Sequence, residues 1–227
     1  MKPKICVSLS SKDPHDLYRK AQRAEALSAD LVEVRLDRLN NYQGLSKVAG
    51  AVEIPVVATN RPVSQKGSFA RSESERLSLL MDAVEGGADY VDIESSTNNL
   101  DQVIETFRKT SAKIILSHHD HSRTPKLSEL KSTLAKLQKS KSDIYKIVTT
   151  ARSPEDNLTI LSLLKTSHKT NPLVSFAMGQ PGVWSRLLAP FYGAHFTYAS
   201  LERGLETAAG QPSISELRRI YQMVGAD

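Results

Sequence analysis

The chain has 227 residues, 40% of them apolar, with a formal net charge of +5 and a single cysteine. That length accommodates one α/β barrel of the usual size, and no apolar run approaches the ~18 residues needed to cross a bilayer. Cys6 alone excludes an intramolecular disulfide and a thiolate metal cluster, and the opening Met1-Lys2-Pro3-Lys4-Ile5-Cys6-Val7 carries no signal-peptide apolar region, so the cytoplasm is the expected location.

Short β-branched runs alternate with helical patterns along the chain. The expected strands are Lys4–Ser10, Leu31–Asp37, Pro55–Asn60, Tyr90–Ser95, Lys113–His119, Ile144–Thr150, Leu173–Met178 and His195–Ser200. Their starts lie about 22 to 35 residues apart, room for a helix and two loops each time. Asp13-Pro14 opens the first helix with a cap and a first-turn proline, and Leu17, Ala21, Ala24 and Leu27 fall on one face. Ser72 to Val84 carries another, closed by Gly86-Gly87, and Ser153-Pro154-Glu155-Asp156 begins a later one. Between Lys126 and Lys146, lysines alternate with Leu127, Leu130, Leu134 and Leu137, which describes a solvated helix over an apolar face. With no recognition motif or stacking platform beside that charge, nucleic acid is not an expected partner; a small anion suits the charge better.

Eight such units predict α/β architecture, a (β/α)8 TIM barrel forming one domain over residues 1–227. An open doubly wound sheet is the alternative, but Ser8-Leu9-Ser10-Ser11-Lys12 lacks the glycine-rich first turn of that fold.

In a barrel, alternate strand residues face the lumen, and the C-terminal strand ends carry the chemistry. Glu33, Arg35 and Asp37 then share the inward face of the second strand, either as a structural ion-pair network or as a polar recognition surface. Asp92 and Glu94 repeat the alternation, while Arg61 and Arg186 add guanidinium groups to the same rim, a combination suited to a carboxylate. Lys146 stands alone in the apolar run Ile144–Thr150. Burying an ammonium costs several kcal/mol unless it is compensated, and an amine that escapes by losing its proton is a nucleophile. His119 shares its parity with Ser117 and Ile115, so it faces inward on the preceding strand, whereas His118 points away. Amine plus imidazole is the pair that Schiff-base chemistry uses, with a snorkelling lysine and a structural histidine as the alternatives. The run His118-His119-x-His121 is not expected to hold metal, because alternation should send its rings apart.

The ordered segments Pro3–Leu9, Glu33–Asp37, Thr59-Asn60-Arg61, Tyr90–Glu94, Ser117–Asp120, Lys146-Ile147, Ser185-Arg186-Leu187 and Gly210-Gln211-Pro212 together resemble the type I 3-dehydroquinate dehydratases. The resemblance implies a barrel that dehydrates 3-dehydroquinate without metal or organic cofactor, in the shikimate pathway, as a homodimer. It also implies Lys146 as imine former, His119 as general acid/base, and Ser8, Glu33, Val34, Arg35, Arg61, Arg186, Thr207 and Gln211 as substrate-binding residues, with Leu205–Gln211 as a lid. Three positions depart from the family pattern. Gln65-Lys66-Gly67-Ser68 stands where a glutamate and paired glycines are common, Thr207 where serine is common, and Ala209 where proline is common. A different Schiff-base barrel, such as a class I aldolase, and a non-catalytic anion-binding barrel are the competing expectations.

Overall fold

A computed structural model describes residues 2–44, 46–167 and 172–226, so Met1 of the opening segment lies outside the described residues. The chain alternates strand and helix: β1 (Ile5–Leu9), α1 (Pro14–Ala26), β2 (Leu31–Arg35), α2 (Ser46–Ala49), β3 (Val56–Thr59), α3 (Glu73–Glu85), β4 (Tyr90–Glu94) and α4 (Leu100–Arg108). It continues with β5 (Lys113–His119), α5 (Leu127–Leu137), β6 (Ile144–Thr150), α6 (Asp156–Ser167), β7 (Leu173–Met178), α7 (Val183–Leu188), β8 (Thr197–Ser200) and α8 (Ile214–Met223). The strands form one parallel sheet in the order β7-β6-β5-β4-β3-β2-β1-β8. It curls until its edges meet, where the His195 backbone N–H donates to the Leu173 carbonyl at 2.8 Å. This is the expected (β/α)8 barrel.

The helix signals act where the local chemistry puts them. Asp13 accepts the His15 backbone N–H in front of Pro14, and α1 buries Leu17, Ala21 and Ala24. Ser72 and Glu75 form a reciprocal capping box at α3, the kind of cap that contributes about 1 kcal/mol. Helix α6 starts later than Ser153, because the Asp156 carboxylate accepts the backbone N–H groups of Arg152 and Ser153 and starts the helix itself.

Strands β5, β6 and β7 have the expected limits, while others are shorter. β2 stops at Arg35 because Leu36–Arg38 turn into a 3-10 helix, so Asp37 does not continue the strand face. Instead its buried carboxylate folds back on Arg35 and accepts the Ser68 backbone N–H at 3.0 Å.

Two apolar layers result. Outside the sheet, Val32, Val34, Ile93 and Leu116 pack with helix residues such as Leu80, Leu130 and Leu163. Inside, Cys6, Leu31, Val57, Ile115, Ile144, Val174 and Phe196 fill the N-terminal part of the lumen. Two residues further along their strands stand Ser8, Glu33, Thr59, Ser117 and Lys146, all buried. The period-2 alternation thus sets a polar layer over an apolar floor at the C-terminal mouth.

Candidate active site

Lys146 is the third residue of β6, paired in register with Ser117 of β5, and is only 4% exposed. Its Nζ donates to Asp92 Oδ2 at 2.9 Å and to the Tyr198 hydroxyl at 3.0 Å, and lies 3.5 Å from Glu33 Oε1. The ammonium also sits 4.4 Å from the Tyr198 ring centroid. Burial of this lysine is therefore compensated by two carboxylates and an aromatic face rather than avoided by snorkelling.

Those carboxylates belong to a wider network. Burial pushes the Glu33 carboxyl up, but Lys146 and Arg35 outweigh it and hold the group below the usual range. Ser8, Thr59 and Tyr198 hydroxyls also donate to Glu33. Asp92 is held far below its ordinary value: burial opposes the shift, and Arg61 with Lys146 overcomes it. Arg61 bridges Asp92 at 2.9 Å and Glu94 at 2.6 Å. Glu94 in turn accepts from the buried Arg76 of α3 at 2.8 Å, and burial leaves its carboxyl above the ordinary value despite both guanidinium groups.

The arginines of the rim play unequal parts. Arg35 is clamped by Asp37 through two 2.8 Å bonds, and Arg61 is saturated by acids of β4. Arg186 is different. It is 1% exposed, its guanidinium carbon lies 4.1 Å from the Phe176 ring centroid, and its Nε and Nη2 have no hydrogen-bond partner among the described residues. Burial pushes it down to about 9. Such a group is complete only when an anion arrives.

His119 ends β5 and lines the same cavity. Burial, then Arg61 and Lys146, push its imidazole well below the ordinary value, with Asp92 pulling the other way. The ring is therefore neutral, and able to accept a proton, across the neutral pH range. Contrary to the expectation for the histidine-rich run, His119 and His121 lie together, with ring planes 8° apart and centroids at 5.6 Å. Residues i and i+2 keep the same side where the chain leaves the strand extended. Among the described residues no cluster of His, Cys, Asp and Glu has the arrangement of a metal site.

The cavity encloses about 350 Å³ between Glu33, Arg35, Arg61, His119, Lys146 and Arg186, a size suited to a small molecule. Its roof is the segment Thr207–Gln211. The Thr207 hydroxyl donates to Ser8 Oγ at 2.9 Å, and its backbone N–H to Gln211 Oε1 at 3.0 Å. Gly210 lies against Gly179: with φ +73°, an added Cβ would be 2.4 Å from the Gly179 carbonyl oxygen. A larger groove of about 980 Å³ runs between this loop, α7 and α8, but Lys146 and His119 are not part of it.

The structure thus gathers Ser8, Glu33, Arg35, Arg61, His119, Lys146, Arg186, Thr207 and Gln211 at one mouth. Val34 is the exception. As its parity dictates, its side chain belongs to the apolar layer beneath the helices and does not line the cavity. Asp92, Tyr198, Phe176 and His121 are further site residues; inward parity on β4, β7 and β8 is the signal that marks the first three.

A family model for type I 3-dehydroquinase matches residues 5–227. A 3-dehydroquinate dehydratase of Dehalococcoides mccartyi is 37% identical over 222 residues, covering 98% of this chain and 96% of the relative. Among solved structures, the 3-dehydroquinate dehydratase of Geobacillus kaustophilus superposes with a TM-score of 0.90 at 25% identity, covering 99% of this chain and 92% of that one. The type I enzyme of Clostridium difficile, solved with covalently modified comenic acid, gives 0.88 at 26% identity, covering 98% and 92%. Sequence, fold and the buried lysine at the barrel mouth converge: the chain belongs to the type I 3-dehydroquinase family.

Proposed function

We propose that this chain dehydrates 3-dehydroquinate to 3-dehydroshikimate, as a hydro-lyase of the shikimate pathway, through an imine on Lys146. The observation that carries the reading is the sharing of one cavity of about 350 Å³ by an enclosed lysine and a buried, unpartnered guanidinium. One suits a ketone and the other a carboxylate, and the substrate has both on a single ring.

In this reading the amine of Lys146 adds to the ketone and water leaves. The protonated imine carries the same single positive charge as the resting ammonium, and Asp92 and Glu33 already lie beside it. Imine formation therefore brings no new net charge into the barrel. The iminium is an electron sink, which makes the adjacent C–H acidic enough for the neutral His119 imidazole to remove its proton. The imidazolium then returns that proton to the departing hydroxyl, water hydrolyses the imine, and the lysine is regenerated. Arg186 holds the carboxylate, while Glu33, Arg35, Arg61, Ser8 and Gln211 bind the ring hydroxyls or hold the groups that do. The Thr207–Gln211 segment excludes water during turnover and opens to release product. His119 carries the proton taken from the ring to the departing hydroxyl, and the two protons that the Lys146 ammonium loses on forming the iminium leave with the ketone oxygen as water. The same family reading makes the enzyme a cytoplasmic homodimer, which cell fractionation and light scattering test.

Trapping decides the mechanism. The protein is incubated with 3-dehydroquinate and borohydride, weighed intact, and mapped by peptide mass. A reduced adduct on Lys146 is expected; no adduct, or one confined to another lysine, overturns the proposal.

A further inference from the structure

Phe176 is buried on β7 and pairs in register with Val148 of β6, one inward-facing step beyond Lys146. Its neighbour Ala177 donates a backbone N–H to the Ser185 hydroxyl at 2.9 Å, and Ser185 directly precedes Arg186. That bond ties β7 to α7 where the two approach closely: a Cβ added at Gly182 would lie 2.4 Å from the Ala177 carbonyl oxygen. The backbones of Phe176 and Arg186 are thus fixed relative to each other, and the freedom left is that of the long arginine side chain. Its guanidinium carbon lies over the Phe176 ring, 4.1 Å from the centroid. The ring is braced in turn. Phe176 meets Tyr198 edge to face, with centroids 5.7 Å apart and planes at 61°, and Tyr198 meets Phe196 in the same way at 5.5 Å. The three rings climb from the apolar floor to Arg186 where the sheet closes between β7 and β8.

We propose that Phe176 is the positioning residue for Arg186, its ring face holding the guanidinium in place for the substrate carboxylate without taking up any of its N–H groups. The inference rests on Arg186 being the carboxylate site of the dehydration. Arg35 and Arg61 are held by carboxylates of the chain, which fixes them but also occupies the N–H groups that an anion would need. No carboxylate of the described residues pairs with Arg186. A π face attracts the cation, most strongly where water is excluded, yet competes for none of its in-plane donors. The charge is therefore held without being neutralised. Tyr198 joins the two ends of the site, because its ring also lies 4.4 Å from Lys146 Nζ. The ketone and carboxylate positions share one aromatic support.

The test is steady-state kinetics with 3-dehydroquinate and with its carboxamide, on wild type, Phe176→Leu, Phe176→Tyr, Arg186→Leu and the Phe176→Leu/Arg186→Leu double variant. Phe176→Leu keeps the site apolar but removes the face. It should raise KM for 3-dehydroquinate about tenfold, with a smaller fall in kcat, and leave KM for the carboxamide unchanged. Phe176→Tyr, which keeps the face, should stay near the wild-type KM. In the Arg186→Leu background, Phe176→Leu should raise KM no further. An unchanged KM in Phe176→Leu, an equal loss with acid and carboxamide, or an equal rise in both backgrounds overturns the inference. So does a Phe176→Tyr enzyme as impaired as Phe176→Leu. A normal KM in Arg186→Leu would instead sink the reading on which it rests.

Discussion

The Lys146 ammonium and the Asp92 carboxylate lie 2.9 Å apart on β6 and β4, both enclosed by the barrel. From that pair, charges alternate outward through Arg61 and Glu94 to Arg76 on α3, each link between 2.6 and 2.9 Å. Lys146 is thus held at the inner end of a relay that is anchored in the helical layer.

Removing one member of a buried pair leaves the other uncompensated, at a cost of about 3–5 kcal/mol. Asp92→Asn should lower folding stability by that order and slow imine formation. Arg76→Met should cost a similar amount while leaving every cavity-lining side chain in the sequence. Urea unfolding measures both; an unchanged midpoint in either variant would show that the relay does not support the fold.

Acid should weaken the protein through the same carboxylates. Asp92 and Glu33 have folded values below their ordinary ones, so the unfolded chain binds more protons as pH falls. Their stabilisation is present above about pH 4 and is lost as pH drops below it toward the folded values. Urea midpoints taken from pH 7 down to pH 3 should fall steeply below about pH 4, and less steeply in Asp92→Asn.

Arg186 carries the opposite sign. Its charge is buried without a carboxylate, and its folded value is depressed to about 9. Replacing it with leucine should raise the melting temperature of the unliganded protein by a few degrees, as removal of about 1 kcal/mol or more of strain implies for a chain of this size. The same change should raise KM for 3-dehydroquinate about 10- to 100-fold. Differential scanning calorimetry and initial rates check the two halves separately. A destabilised variant with normal KM would mean that Arg186 has a structural role only.

The base form of His119 is favoured by burial and by its cationic neighbours. The acidic limb of kcat/KM should therefore fall below about pH 6.5, the ordinary imidazole value, leaving a flat profile through neutrality. His119→Ala should reduce kcat by about 10²–10⁴-fold yet still form the borohydride-trapped adduct.

Gly210→Ala tests the roof. The added methyl would press on the Gly179 carbonyl at a backbone angle that disfavours any side chain. The loop should be displaced, with KM rising and proteolysis between Leu205 and Gln211 becoming faster; a substitution without effect on either would remove the loop from the mechanism.

Much of this barrel could be read from the linear chain, and the reason is locality. The limits of β5, β6 and β7, the caps at Asp13 and Ser72, and the inward parity of Glu33, Lys146 and His119 depend on residues a few positions apart. Alternation also placed Val34 under the helices, against its place in the family pattern. Where the chain turned at Leu36, strand parity ended, and Asp37 became a clamp for Arg35 instead of a third inward charge.

Which charges remain available was decided only by tertiary structure. Arg35, Arg61 and Arg186 are indistinguishable as rim arginines in the sequence, yet two are neutralised by acids from the chain and one keeps unpartnered N–H groups. The Tyr198 hydroxyl reaches Glu33 across 165 residues, and Arg76, on a helix whose pattern resembles any amphipathic surface, is buried against Glu94. Local periodicity determines which way a side chain points. Closure of the barrel determines what it meets, because compensation of a buried charge is a property of pairs that the chain brings together only on folding.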